Sequence, residues 1–477
     1  MASFAAPSDF ADWLSPMLVK ELRQGVRSRV FMTAFYLTQG FMILCVIFSL
    51  VAAGDGQNRS AFGFLTGLFW FLIGVPLILL MPLRGFGALY GEIKNGTLEL
   101  VFLTRLSALR IAAGKWMALM VQTLLLVCSV LPYVLLRYFL GGVNVVDDLQ
   151  NLVFLLFISG MLTAVTVAVS PYESRILRAF FSVGSILAVV VLIPVVVNLL
   201  VMSRTGGAFR SATSMGLVWA GAVLFVPAFI FLCLEIAASR IAPPAENHAL
   251  TKRLIGLYFL PAAAVWVFLG ASFSVAAGLA MLCLAVVIID ALAEPHQFVR
   301  STRRAFLRWG RIGQPAALML TPGWVSASWF LLPLALLGGG LLWLQGQAAE
   351  TKEVLKCVAF LGGLIFPAAL IRLFAPGTRF FLAIYLALQF FFVVLTVLVA
   401  MMGSFSRESL VLALTPIPTC TFLMGVFNSH EYSQHVSGIL GVTMAITLGS
   451  LGILLARTIT PLRDIRRALS QTPRQDV

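Results

Sequence analysis

The chain has 477 residues, 60% of them hydrophobic and only 11% charged, with a mean hydropathy of +0.99. Soluble domains are near half apolar and about a quarter charged, so a soluble fold is excluded and an integral membrane protein is expected. The net charge of +14 does not indicate nucleic acid, because no basic stretch is interleaved with stacking aromatics; basic residues hold loops on the cytoplasmic side of a membrane instead.

Lipid offers the backbone no hydrogen-bond partners, so spans are helices or closed barrels. The apolar runs are continuous, not alternating, which excludes barrel strands and predicts an all-α polytopic fold. The six cysteines, Cys45, Cys128, Cys233, Cys283, Cys357 and Cys420, all sit in apolar segments without a C-x-x-C pair. They read as small apolar residues, neither a disulfide framework nor a metal site. No cleavable leader precedes the first apolar run, which is expected to be a retained span.

At the N-terminal end, LSPMLVKELRQGVRSR (14–29) is amphipathic. Ser15 suits a helix N-cap and Pro16 its first turn. Leu14, Leu18, Leu22 and Val26 share one face, while Lys20, Arg23, Arg27 and Arg29 fall mostly elsewhere. Such a helix lies in the membrane surface with its basic groups among the headgroups. Spans are predicted over about 31–53, 61–82, 116–139, 151–170, 179–202 and 214–238, from hydropathy and the ~20 residues a crossing needs. After a polar break at 239–254 a second set follows over about 255–271, 273–293, 326–346, 354–374, 378–401 and 437–456. The twelve spans form two six-helix sets. The apolar stretch 410–427 carries Pro416 and Pro418, which break a helix, and is read as a re-entrant or surface hairpin.

Charge tests this topology. With the N-terminus cytoplasmic, 26 of the 33 lysines and arginines fall on the inner side, including those of the C-terminal tail 458–477. That bias favours an even number of spans with both termini cytoplasmic. Loops on either side are too short for a catalytic domain.

The charged stretch GEIKNGTLELVFLTRLSALRIAAGK (91–115) is then cytoplasmic. Gly96 ends the preceding helix. Residues 97–104 can make two turns with Leu98, Val101 and Phe102 on one face, which would set Glu99 and Thr97 near the N-terminus, where negative charge is favoured. Ser107 caps a second helix that runs into the next span. A short helix so placed can bear on another protein and pass a push to the spans at either end.

At these residues the chain resembles the membrane subunit, or permease, of type-2 ABC transporters, in a long twelve-span form. The resemblance rests on 14–29 and on E-x-x-x-G-T-L-E-L-x-x-x-T-x-L-S-x-x-x-I-x-x-G-K, here Glu92, Gly96, Thr97, Leu98, Glu99, Leu100, Thr104, Leu106, Ser107, Ile111, Gly114 and Lys115. It covers roughly 14–240. Arg105 stands where the family usually has proline, and the second half has no G-T-L-E copy; its matching loop, 294–315, is arginine-rich. The resemblance implies that residues 1–30 hold an elbow helix (Ser15, Pro16, Lys20, Glu21, Arg23). It implies that 31–240 is a six-span permease domain whose coupling helix near 92–115 docks on a separate ABC ATPase subunit. Residues 241–457 would be a second six-span region. It further implies a second permease chain, identical or paralogous, a location in the bacterial cytoplasmic (inner) membrane, and ATP and Mg on the partner subunit, with no cofactor in this chain. The sequence contains no G-x-x-x-x-G-K-[ST], so this chain has no phosphate cradle of that type.

Other signals are weaker. In HEYSQH (430–435) the second histidine, His435, comes five residues after His430, off a common helix face, which argues against a metal pair. Asp147 and Asp148 read as a solvated outer loop. Arg300, Arg303, Arg304, Arg308 and Arg311 read as an inner anchor for anionic lipid. Two other classes stay open: an ion-coupled secondary transporter, and a membrane enzyme acting on lipid-linked substrates. Against the first, the charged span residues Arg137, Glu235, Asp290 and Arg372 lie near span ends, and Gln39, Gln122 and Asn198 do not titrate. Against the second, no paired carboxylates or His/Asp set stands out.

Overall fold

The computed structural model describes residues 16–54, 59–96, 106–139, 144–172, 212–243, 246–295, 306, 313–344, 351–375, 378, 380–401, 416–426 and 436–470. The chain divides into two compact units, Met1–Ala242 and Pro243–Val477. Among the described residues all regular structure is helical, and eleven helices are long and apolar enough to cross a membrane. The protein is an all-α, multi-pass membrane protein. The eleven helices overlap eleven of the twelve expected spans; the remaining one, 179–202, lies outside the described residues, as does most of the stretch before it.

The first unit holds α1 (Pro16–Val26), α2 (Arg29–Gly54), α3 (Arg59–Gly74), α4 (Met81–Leu83), α5 (Tyr90–Lys94), α6 (Ala108–Phe139), α7 (Val145–Val169) and α8 (Ala212–Ile241). Helix α2 is built for lipid. Leu37, Phe41, Leu44, Phe48 and Val51 recur on one face and are exposed, while Ala34, Thr38, Met42, Cys45 and Ser49 are buried. Thr38 and Ser49 point inward, and most of the large apolar side chains point outward. A contiguous exposed apolar face of that kind marks a membrane surface. Thr38 and Ser49 bond to carbonyls one turn back on their own helix. The core gathers Met42, Phe69, Trp70, Ile73, Leu77, Leu126, Val130 and Leu155.

The second span departs from the expected 61–82. Helical backbone carries on to Lys94, with two irregular turns: a π-helical stretch at Val75–Leu80 and a 3-10 turn at Arg84–Gly87. Pro76 and Pro82 cannot donate to the ladder, so the regular helix fails around them. Helix α7 compensates. Thr166 donates to the Pro82 carbonyl at 2.7 Å, and Ser170 Oγ accepts from Leu89 N at 2.8 Å and Tyr90 N at 3.1 Å. The close approach needs Gly85, where a Cβ would lie 2.2 Å from Thr166 Oγ1.

The expectation of a solvated Asp147–Asp148 loop is corrected. Helix α7 starts at Val145 behind the N-cap Asn144, which puts both acids in its first turn, where negative charge is stabilised. Asp148 is wholly buried and faces Arg137 at 3.5 Å.

The second unit holds α9 (His248–Phe268), α10 (Phe273–Ala293), α11 (Gly313–Leu320), α12 (Trp324–Leu344), α13 (Thr351–Phe374), α14 (Phe381–Met401), α15 (Pro418–Val426) and α16 (Val436–Ser470). Helix α13 is its hub, packed along α16 and against α10, α14 and α15. Helix α15 has nine residues, too few to span. It is held in a notch on α13 where Gly362 and Gly363 carry no side chain: a Cβ on Gly363 would lie 3.1 Å from the Thr419 backbone. Cys420, Thr421 and Met424 are buried there. The polar break expected at 239–254 is shorter, because α8 runs to Ile241 and α9 starts at His248 with Asn247 as its N-cap. Lys252 and Arg253 are therefore helical and buried, not in a loop.

Candidate functional site

Three elements of the first unit meet around Lys115. Ser107 starts α6: its Oγ accepts from Arg110 N at 3.4 Å and its carbonyl from Ile111 N at 3.2 Å. From that start, the first two turns of helix bring Gly114 and Lys115 to the level of α1 and α5. Lys115 is 5% exposed. Its Nζ lies 2.9 Å from Glu21 Oε1 on α1 and 2.9 Å from Glu92 Oε1 on α5. A buried charge persists only when paired, and here one ammonium joins two carboxylates from two other elements.

A second layer lies two turns further along α6. The Arg84 guanidinium donates to Gln122 Oε1, to the Gly25 carbonyl at 3.2 Å and to Ser28 Oγ at 3.1 Å. Arg84 thus sits at the C-terminal end of α1, where a cation and a donor are both favoured. Gly25 lets α1 come this close; a Cβ there would lie 2.1 Å from Gln122 Nε2. A third layer follows, with Gln39 donating to Ser129 Oγ at 2.6 Å and accepting from Tyr133 OH at 2.8 Å. Lys115, Gln122 and Ser129 recur at an interval close to two helical turns, so α6 carries one polar stripe along its length. The stripe ends at Arg137, which donates to Thr66 Oγ1 at 3.0 Å and packs over the Phe69 ring at 4.0 Å.

The expected site residues divide as follows. Glu21, Glu92 and Lys115 come together. Pro16 opens α1, and Lys20 and Arg23 are exposed, on the side of α1 away from buried Leu18. Gly96 has φ +66° with open space around it, a left-handed residue of the kind that closes helices, just after α5. Thr97, Leu98, Glu99, Leu100 and Thr104 lie outside the described residues, as do Ser15, His430, His435 and the five arginines between 300 and 311. Arg84 and Gln122 are not among the site residues expected from sequence. The regular two-turn spacing of polar residues inside an apolar run is the signal that points to Gln122.

The second unit buries its own charged set, which sequence reasoning also missed. Lys252 on α9 pairs with Asp290 at 2.6 Å and with Glu294, one turn along α10 and just past it. Arg253, 1% exposed, donates to the carbonyls of Met319, Thr321 and Gly323 at the end of α11. Gly323, at φ +114°, donates its N–H to Glu294 Oε2 at 3.0 Å. Arg372 stacks between Trp324 and Phe381, 4.4 Å from each ring. None of the six cysteines is bonded to another, and among the described residues no group of three or more metal-ligating side chains gathers.

Comparison with protein-family models, curated proteins and solved structures finds no significant match.

Proposed function

We propose that this chain is the permease subunit of an ATP-driven exporter, similar to type-2 ABC permeases, with ATP hydrolysed on Mg in a separate subunit. The observation that carries the reading is the Lys115 triad. It ties α1 to the two helices that flank residues 97–105, the segment expected to meet the ATPase. Load applied between Gly96 and Ser107 reaches α5 and α6 directly, and the triad shares it with the surface helix α1. On this reading each chain has twelve spans in two six-helix sets, with both termini on the cytoplasmic side of the bacterial inner membrane. The assembly contains two permease chains, identical or paralogous. Substrate passes between spans without chemistry.

Glu99→Lys and Thr97→Trp test it. The chain is tagged, purified in nanodiscs from its native membrane, and assayed for vanadate-sensitive ATP hydrolysis. The native chain is expected to bring an ATP-hydrolysing subunit with it, and each variant several-fold less at unchanged membrane abundance. Equal ATPase yield from both variants and the native chain refutes the coupling role.

An ion-coupled carrier is the second reading, favoured by one observation: Lys252, Asp290 and Glu294 are titratable and buried, as ion-coupled sites are. Against it, both acids are already neutralised by Lys252 and Arg253. Substrate movement abolished by an uncoupler but not by vanadate would establish the carrier instead.

A further inference from the structure

The second unit contains an apolar cavity of about 340 Å³ between α9, α10, α12, α13 and α16. We infer that it is a binding site for one hydrocarbon chain of a membrane lipid. This inference is independent of the ATPase reading above.

Chemistry excludes a polar occupant. Of the side chains around the cavity, only Thr447 and Cys357 carry a polar hydrogen, and the Thr447 hydroxyl is spent on the Thr443 carbonyl of its own helix at 2.7 Å. Water in a cavity needs two to four polar partners, and a polar ligand left unpartnered there is strongly disfavoured. Size excludes a mere packing defect. An apolar cavity of about 150 Å³ already takes benzene, and ligand pockets start near 300 Å³. Left empty, walls of this extent forfeit their dispersion contacts.

Position points to lipid. The lining comes from the C-terminal halves of α9 and α12, the N-terminal parts of α13 and α16, and α10 from Phe273 to Ile288. Most of it lies toward the ends of the helices away from Lys252, Asp290 and Glu294, and only Ile288 comes within two residues of that set. At ~1.5 Å per residue the lining follows about 10 Å of α9, about 16 Å of α12 and about 22 Å of α10, so the cavity opens in one leaflet and reaches past the middle of a core about 30 Å thick. The mouth is lateral. Leu448 and Met444 both line the cavity and are exposed, by 58% and 50%, and opposite them Gly338 and Gly339 leave a gap on α12 with nothing near either Cβ position. Neighbouring outward residues, Leu336, Val265 and Leu282, are apolar and exposed. A chain can slide from the leaflet into the cavity without crossing a polar surface. With the N-terminus cytoplasmic, the leaflet concerned is the outer one.

The test uses the full chain in phosphatidylethanolamine/phosphatidylglycerol nanodiscs. Two probes carry the same mid-chain diazirine: a palmitic acid and a phosphatidylglycerol. Photolabel is expected to concentrate on peptides covering 331–342 and 444–451. Gly338→Phe, which fills the cavity, lowers that labelling at least fivefold. Gly340→Phe, which also enters open space but does not line the cavity, leaves it unchanged. Labelling by the phospholipid supports the assignment to a bilayer lipid; labelling by the fatty acid alone overturns it. Labelling no denser than on the lipid-facing side of α2, and indifferent to Gly338→Phe, overturns the inference. Native mass spectrometry of the unsubstituted protein is a second readout. One retained acyl-chain adduct after detergent washing is expected, and complete absence of an adduct overturns the inference whether or not the variants fold.

Discussion

Lys115→Met isolates the charge at the centre of the first unit's polar stripe, because methionine keeps most of the side chain's length and loses the ammonium. The variant leaves Glu21 and Glu92 without the cation they share. Breaking a fully buried ion pair costs about 3–5 kcal/mol, and an exposed pair about 0–1 kcal/mol. The two carboxylate side chains are 23% and 17% exposed, so water partly rescues them and the expected loss is about 2 kcal/mol. For a unit of this size each kcal/mol moves the midpoint by about 2–4 °C, which gives a fall of about 4–8 °C in nanodiscs by tryptophan fluorescence. Glu21→Gln and Glu92→Gln each leave Lys115 one carboxylate and should cost about 1 kcal/mol. The triple variant Glu21→Gln, Glu92→Gln, Lys115→Met removes all of the triad's charges together. It should be more stable than Lys115→Met alone by about 1 kcal/mol, a non-additivity typical of contacting groups. The local readout is tryptic cleavage after Arg23 and Arg27, both exposed on α1 and just past it, which should accelerate in Lys115→Met. Strict additivity across the set, or an unchanged midpoint and cleavage rate, would show that the triad holds nothing.

Gly25→Ala should loosen α1 by about 1 kcal/mol, since overpacking against Gln122 at about 1–3 kcal/mol outweighs the propensity gain of about 1 kcal/mol; Gln122→Ala in the same chain should restore the midpoint. Arg137→Met removes the guanidinium that faces buried Asp148, an expected loss of about 3–5 kcal/mol, and the added Asp148→Asn should recover a part of it in the same melt. Ser170→Ala removes the acceptor of Leu89 N and Tyr90 N, and stranding them at about 1–3 kcal/mol should speed hydrogen exchange at both amides. Gly363→Ala pushes on the Thr419 backbone, which cannot yield as a side chain can, so α15 should detach and Cys420, fully buried now, should become alkylated by N-ethylmaleimide at least tenfold faster.

The spans were legible because crossing lipid demands long apolar helices, and composition alone carries that demand. The cap at Ser107 and the left-handed Gly96 were legible for the same kind of reason: each is a local backbone requirement met by a local residue. The pairings were not. Lys252 finds Asp290 and Glu294 at separations of 38 and 42 residues, and hydropathy places all three near the ends of spans without saying that they face each other. Asp148 looked like a solvated residue because two adjacent acids usually are, and only the burial of Arg137 on the preceding helix reverses that. The irregular end of the second span was hidden as well. Pro76 and Pro82 announce a broken ladder, but the repair comes from Thr166 and Ser170 on another helix.

The two buried lysines differ in a way that bears on where each unit can yield. Asp290 and Glu294 are one helical turn apart at the end of α10, and Glu294 is pinned further by Arg253 and the Gly323 amide. Lys252 therefore faces acids whose spacing the helix itself sets, and no displacement of a single neighbouring element opens that set gradually. Lys115 instead gathers one carboxylate from α1 and one from α5, two separate helices. Either can shift and lengthen one arm of the triad while the other holds. A charge shared between two separate helices can yield stepwise, with each arm carrying only part of the cost of the full break. On the permease reading proposed above, that is what would pass a push from the Gly96–Ser107 segment to two spans, with the Lys115 triad as the joint of the first unit.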